Sequence, residues 1–192
     1  MRQERVILYF GSFNPIHNGH MTVAEYVLAE GMFDELWFVV SPQNPFKPLG
    51  MLAEGEVRLE MVRRVIAESE YADRMRVCDV EFELPLPSFT INTMNELERR
   101  YEDKHFSILM GADSAASIEG WRDWRTLLER YEFYVNPREG SVVDDRFVLL
   151  SEAPLFDCSS TRIRELVGQG ESVDTLVCDS VAEYIKEKGL WR

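Results

Sequence analysis

The string Gly11-Ser12-Phe13-Asn14-Pro15-Ile16-His17-Asn18-Gly19-His20 carries two of the chain's three histidines. A neutral imidazole can donate a hydrogen bond to a phosphoryl oxygen. At this spacing both His17 and His20 can turn toward one phosphate if a helix begins around Gly19 and His20. A helix N-terminus adds unpaired N–H groups and the positive end of a dipole, which together favour an anion. Gly11 permits close backbone approach, and Pro15 stiffens the loop. A lone histidine near a helix start is more often a cap or a surface residue. Two of them around one glycine turn the reading toward phosphate.

A second group, Ser159-Ser160-Thr161-Arg162-Ile163-Arg164, precedes an apolar helical stripe. Its hydroxyls suit an N-cap and a first turn. Its arginines can hold phosphate oxygens in a fixed fork. Taken alone, it fits a capped surface helix with exposed arginines equally well. The net charge of −13 sharpens the question. A field of that sign repels nucleic acid and anionic membranes, so neither is an expected partner. Any phosphate site must then be built from local cations, helix N-termini or a metal.

The elements that would position these groups alternate. Residues 6–10 read as a buried parallel strand, followed by a helical stripe (Ala24, Val27, Leu28) stopped by Gly31. Residues 36–40 form a second strand, 41–50 a Pro-rich loop, and Val57, Met61 and Val65 a second helix. Strands over 75–80 and 106–110 bracket a helix marked by Ile91, Met94, Leu97 and Tyr101. A short helix at Trp124, strands over 131–135 and 147–150, and helices over 159–167 and 181–188 complete the chain. This alternation predicts an α/β fold with a parallel sheet covered on both faces. Ligands in such folds bind beyond the C-terminal ends of the strands. The loops after Phe10, Val40, Val80 and Met110 are therefore where chemistry is expected.

The length of 192 residues suits one domain, residues 1–192, with a helical C-terminal part over 158–192 carrying the second group. Cys78, Cys158 and Cys178 are odd in number and not at metal-ligand spacing. They read as reduced thiols of a cytoplasmic protein. The first apolar run is too short for a signal or membrane segment.

The H-x-G-H element after a first strand resembles the nucleotidyltransferase superfamily. The fuller string from Gly11 to His20 resembles the nicotinate-nucleotide adenylyltransferases. Phosphopantetheine adenylyltransferases, cytidylyltransferases and class I aminoacyl-tRNA synthetases carry relatives of the shorter element. Ser159 to Arg164 is similar to the S-S-T-x-[IV]-[RK] phosphate clamp of these families, with the arginine of the nicotinate enzymes in last place. Ser41-Pro42-Gln43-Asn44-Pro45-Phe46-Lys47 resembles their basic-ended loop. Pro87-Ser88-Phe89-Thr90 resembles their P-S-Y-T segment, with Phe89 in place of tyrosine. Gly111-Ala112-Asp113 resembles the G-x-D turn at the ATP ribose. Trp121 falls where a tryptophan stacks on the pyridine ring, although core packing is the competing reading and Trp124 lies close by. Phe10 and Arg122 depart from the pattern, which has glycine and tyrosine there.

The resemblance implies a Rossmann-like, doubly wound sheet and adenylyl transfer from ATP to nicotinate mononucleotide. It implies His17, His20 and Arg164 as the catalytic residues. ATP binding would fall to Gly11, Ser12, Phe13, Gly19, Lys47, Gly111, Asp113, Ser159, Ser160, Thr161, Arg162 and Ile163. For Lys47, a solvated loop lysine is the competing reading. The nicotinate nucleotide would meet Ser88, Thr90, Trp121 and Arg122, with Arg122 either facing the carboxylate or facing solvent. Mg²⁺ would be bound through the ATP phosphates, with no protein metal site. The sequence offers no convincing nucleophile–base pair, and a phosphate dianion needs none to attack phosphorus. Two alternatives stand. One is the same chemistry on nicotinamide mononucleotide or phosphopantetheine, and the other is a non-catalytic adenine-nucleotide sensor. A homo-oligomer is left open.

Overall fold

The computed structural model describes residues 2–43, 52–138 and 143–192. Six strands form one parallel sheet: β1 (Glu4–Gly11), β2 (Glu35–Val40), β3 (Met75–Cys78), β4 (Lys104–Gly111), β5 (Phe133–Asn136) and β6 (Val148–Leu149). Their spatial order is β3-β2-β1-β4-β5-β6. The chain winds outward from β1 in one direction, then returns and winds outward in the other. The doubly wound expectation therefore holds, and the switch point lies between β1 and β4.

Alternation along each strand divides the core in two. Ile7, Tyr9, Leu36, Phe38 and Val40 face one side. They pack under α1 (Asn18–Ala29), α2 (Gly55–Glu68), α6 (Ser160–Gly168) and α7 (Asp179–Lys188). Val6, Leu8, Trp37, Val39, Ile108 and Met110 face the other. They pack under α3 (Thr90–Arg100), α4 (Ala112–Ala116) and α5 (Trp124–Arg130). Burial on both faces is why these strands read as unbroken apolar runs.

Several boundaries differ from the periodicity reading. The third strand stops at Cys78, because residues 80–82 wind into a single 3₁₀ turn. Tyr131 caps α5 instead of opening β5, its N–H donating to Leu127 O at 3.0 Å. β6 keeps only two residues. α4 was not expected, since five residues are too few to show a helical stripe. Gly31 follows the end of α1 at φ +65°, the left-handed conformation glycine adopts at no steric cost.

Candidate active site

β1 ends at Gly11, paired with Val40 of β2, and the chain then turns over the sheet edge. A Cβ on Gly11 would stand 2.8 Å from the Phe13 ring. What glycine provides here is room for that ring to fold back under the loop. Phe13 adopts φ +45°, a left-handed conformation costly for a side chain of this size, and its ring is buried.

α1 begins at Asn18, with His17 as its N-cap. The His17 N–H donates to Nδ1 of His20 at 3.2 Å. That bond requires an unprotonated Nδ1 on His20, so its proton sits on Nε2. The two rings lie 3.8 Å apart, centroid to centroid. His17 is 8% exposed, and its Nδ1 is buried without a hydrogen bond. Burial lowers its pKa to about 4, so the ring is neutral at physiological pH.

The C-terminal group is tied to this loop. Ser159 is the N-cap of α6, its Oγ accepting from the Arg162 N–H at 3.2 Å. Ser160 Oγ donates to Pro15 O at 2.8 Å. Arg164 donates from Nη1 to Asn14 O at 2.9 Å and from Nη2 to Thr161 Oγ1 at 3.1 Å. Partial burial lowers the Arg164 pKa by disfavouring its charged form. His17, His20 and Arg164 all line one cavity of about 720 Å³ at the C-terminal edge of the sheet.

Most other expected residues meet in the same cavity. Gly11, Ser12, Phe13 and Gly19 border it from the first loop and the start of α1, and Ser159, Ser160 and Thr161 from the start of α6. Gly111 and Asp113 enter from the end of β4. Ser88, Thr90, Trp121 and Arg122 form the remaining wall. The Arg122 guanidinium lies 5.0 Å from the centre of the Phe89 ring, which gives the departure from tyrosine a cation–π contact in place of a hydroxyl.

Two of the expected residues do not border the cavity. Arg162 is not among the residues lining the cavity and lies 3.7 Å from Glu165, since positions two apart on a helix, such as 162 and 164, do not share a face. Ile163 is fully buried in the core and presents no side chain to a ligand. Lys47 lies outside the described residues.

The structure also adds residues that motif reading missed. Arg138 reaches Asp113 with a 2.8 Å ion pair. Glu81, 2% exposed, accepts from Thr93 Oγ1 at 2.8 Å, and burial raises its pKa. Phe156, 37% exposed, stacks on His17 at 6.5 Å. None belongs to a contiguous motif. Only the sheet order brings them together.

This arrangement can hold a polyphosphate between two neutral imidazoles and a guanidinium, in a cavity that Ser88, Thr90, Trp121 and Arg122 also line. A family model described as cytidylyltransferase-like matches residues 8–166, from the first strand to the phosphate-clamp helix. The chain belongs to the cytidylyltransferase-like family. The match spans both ends of the cavity, so the family's shared core and the site described above coincide. A protein of Flavobacterium johnsoniae named "Probable nicotinate-nucleotide adenylyltransferase" is 34% identical over 98% of this chain and 99% of its own length. A Cytophaga hutchinsonii protein of the same name is 37% identical over 94% of this chain and 95% of its own. The fold is similar to that of Plasmodium falciparum nicotinic acid mononucleotide adenylyltransferase complexed with NaAD, with TM-score 0.82, 18% identity, and 98% and 97% of the two chains covered. Each of these relatives is matched over at least 94% of this chain.

Proposed function

We propose that this protein transfers the adenylyl group of ATP to nicotinate mononucleotide, giving deamido-NAD and pyrophosphate. The observation that carries the reading is a juxtaposition. His17 and His20 from the first loop, Arg164 from the last helix pair, and Ser88, Thr90 and Trp121 from the middle of the chain line one cavity. Full-length relatives named for this activity support the same acceptor.

An oxygen of the acceptor's phosphate forms a bond to the α-phosphorus of ATP. The bond from that phosphorus to the bridging oxygen breaks, and both electrons leave with pyrophosphate. The attacking oxygen is already ionised near neutral pH, so no proton must be removed. The obstacle is charge: two anions must approach, and more negative charge collects on the leaving group. His17 and His20, as neutral N–H donors, would hold the α- and β-phosphate oxygens without needing to be charged. Arg164 would hold the departing pyrophosphate, fixed in direction by its bonds to Asn14 and Thr161. In-line positioning supplies the rest.

Among the described residues, no group of three or more His, Cys, Asp or Glu side chains is gathered where it could hold a metal. Mg²⁺ would be carried on the phosphates of ATP and would neutralise part of the triphosphate charge. Residues 1–192 would act as one nucleotidyltransferase domain. Its three free cysteines suit a reducing cytoplasm, and no helix among the described residues is long and apolar enough to cross a membrane.

The deciding experiment is pyrophosphate release from ATP with nicotinate mononucleotide, nicotinamide mononucleotide or phosphopantetheine as acceptor. Release at least about tenfold faster with the nicotinate nucleotide is expected, a difference of about 1.4 kcal/mol. ATP binding without release for any acceptor would instead mark a nucleotide sensor.

A further inference from the structure

Arg58 sits in α2, outside the cavity, and is 1% exposed. Its guanidinium makes four hydrogen bonds, all to main-chain carbonyls. Nε donates to Ala53 O at 2.9 Å, Nη1 to Ser12 O at 2.7 Å and Ser41 O at 2.8 Å, and Nη2 to Pro42 O at 3.2 Å. These carbonyls belong to three separate segments: the opening loop, the loop after β2 and the entry to α2. No carboxylate among the described residues pairs with Arg58.

A buried guanidinium is tolerated only when its donors are satisfied. Here the bonding is directed at loops, so its consequence should be sought there. In a trans peptide the carbonyl and the following N–H point in opposite directions. The Ser12–Phe13 peptide is trans. Drawing the Ser12 carbonyl inward therefore turns the Phe13 N–H outward, and both residues border the cavity. No group among the described residues accepts from that N–H. The buried ring and left-handed backbone of Phe13 hold the pose from the other side.

We propose that Arg58 is a positioning residue: from beneath the opening loop it presets the Phe13 N–H as a hydrogen-bond donor to a phosphate oxygen of ATP. The proposal rests on the reading that this cavity takes ATP, but not on the identity of the acceptor. In the same act Arg58 ties Ser41 and Pro42 to the opening loop, so these segments are in place before the nucleotide arrives.

The test measures ATP binding with no acceptor present, together with the amide resonance of Phe13. In the wild-type protein that resonance should move on adding ATP. Arg58→Lys and Arg58→Gln, compared as folded proteins by circular dichroism, should bind ATP at least about tenfold more weakly, as expected for loss of a hydrogen bond to a charged group. In those variants the Phe13 resonance should no longer respond. A merely structural Arg58 would lower the melting temperature while leaving the response of the folded protein intact. Wild-type ATP affinity in a folded Arg58→Lys protein overturns the proposal. So does a Phe13 resonance unmoved by ATP in the wild type, a measurement that stands even if both variants fail to fold. If ATP binds as described but nicotinate mononucleotide is not adenylylated, the acceptor assignment fails and the role of Arg58 is untouched.

Discussion

The backbone N–H of His17 donates to Nδ1 of His20, and this one bond fixes which nitrogen of His20 faces the cavity with a proton. The cap of α1 and the chemistry of the site are therefore the same feature. His20→Ala removes the oriented donor while leaving the helix its other hydrogen bonds. The expected result is a fall in pyrophosphate release of about 100- to 1000-fold with little loss of melting temperature. Near-wild-type turnover in a folded His20→Ala protein would contradict the assignment.

His17 offers a prediction in pH. Its imidazole stays neutral until about pH 4 in the folded protein, whereas an unfolded chain protonates it near 6.5. Between those values the unfolded state binds the extra proton. The contribution of His17 to stability is therefore complete above pH 6.5 and is lost as pH falls toward 4, by on the order of 3 kcal/mol across the window. Urea unfolding of wild type and His17→Gln should show the wild-type protein losing ground, relative to the variant, on going from pH 7.5 to pH 5. A constant or widening wild-type advantage would refute the buried neutral ring.

Arg164 separates charge from geometry. Arg164→Ala removes both and should lower turnover by about 100-fold, in the range for loss of one preorganised donor. Arg164→Lys keeps the charge but cannot bridge Asn14 O and Thr161 Oγ1 while also presenting a planar fork. Its turnover should fall between those of alanine and wild type. Steady-state rates for the three proteins at saturating substrate make the comparison, and equal activity of the lysine variant and wild type would remove the need for the fork.

The two nearby tryptophans should behave differently. Trp121 lines the cavity, whereas Trp124 does not and instead stacks against Arg125 at 4.4 Å. Trp121→Ala should raise the KM for nicotinate mononucleotide about tenfold or more, as loss of a ring-stacking platform does. Trp124→Ala should leave that KM nearly unchanged. The reverse pattern would move the acceptor ring elsewhere.

The contrast between these residues also explains what was readable in advance. His17, His20 and Arg164 sit in contiguous strings whose residue types already suggested phosphate, and the strands that present them are continuous apolar runs. Glu81 and Arg138 sit in unremarkable surroundings, and only sheet order brings them to the cavity. Arg162 and Arg164 share a motif but not a direction, because two positions along a helix do not share a face. α4 is too short to imprint a period, and Tyr131 looks like a strand residue while serving as a helix end.

The hydroxyl of Ser160 on the carbonyl of Pro15 joins residues 145 positions apart, and Asn18 is held by carbonyls at 175 and 176 in the same way. The first loop leaves the ribosome 145 residues ahead of Ser160, which fastens it. A partly synthesised chain thus has an unclosed pocket and little grip on triphosphate. Nucleotide can reward only a polypeptide in which residues 160–176 have emerged and closed on that loop.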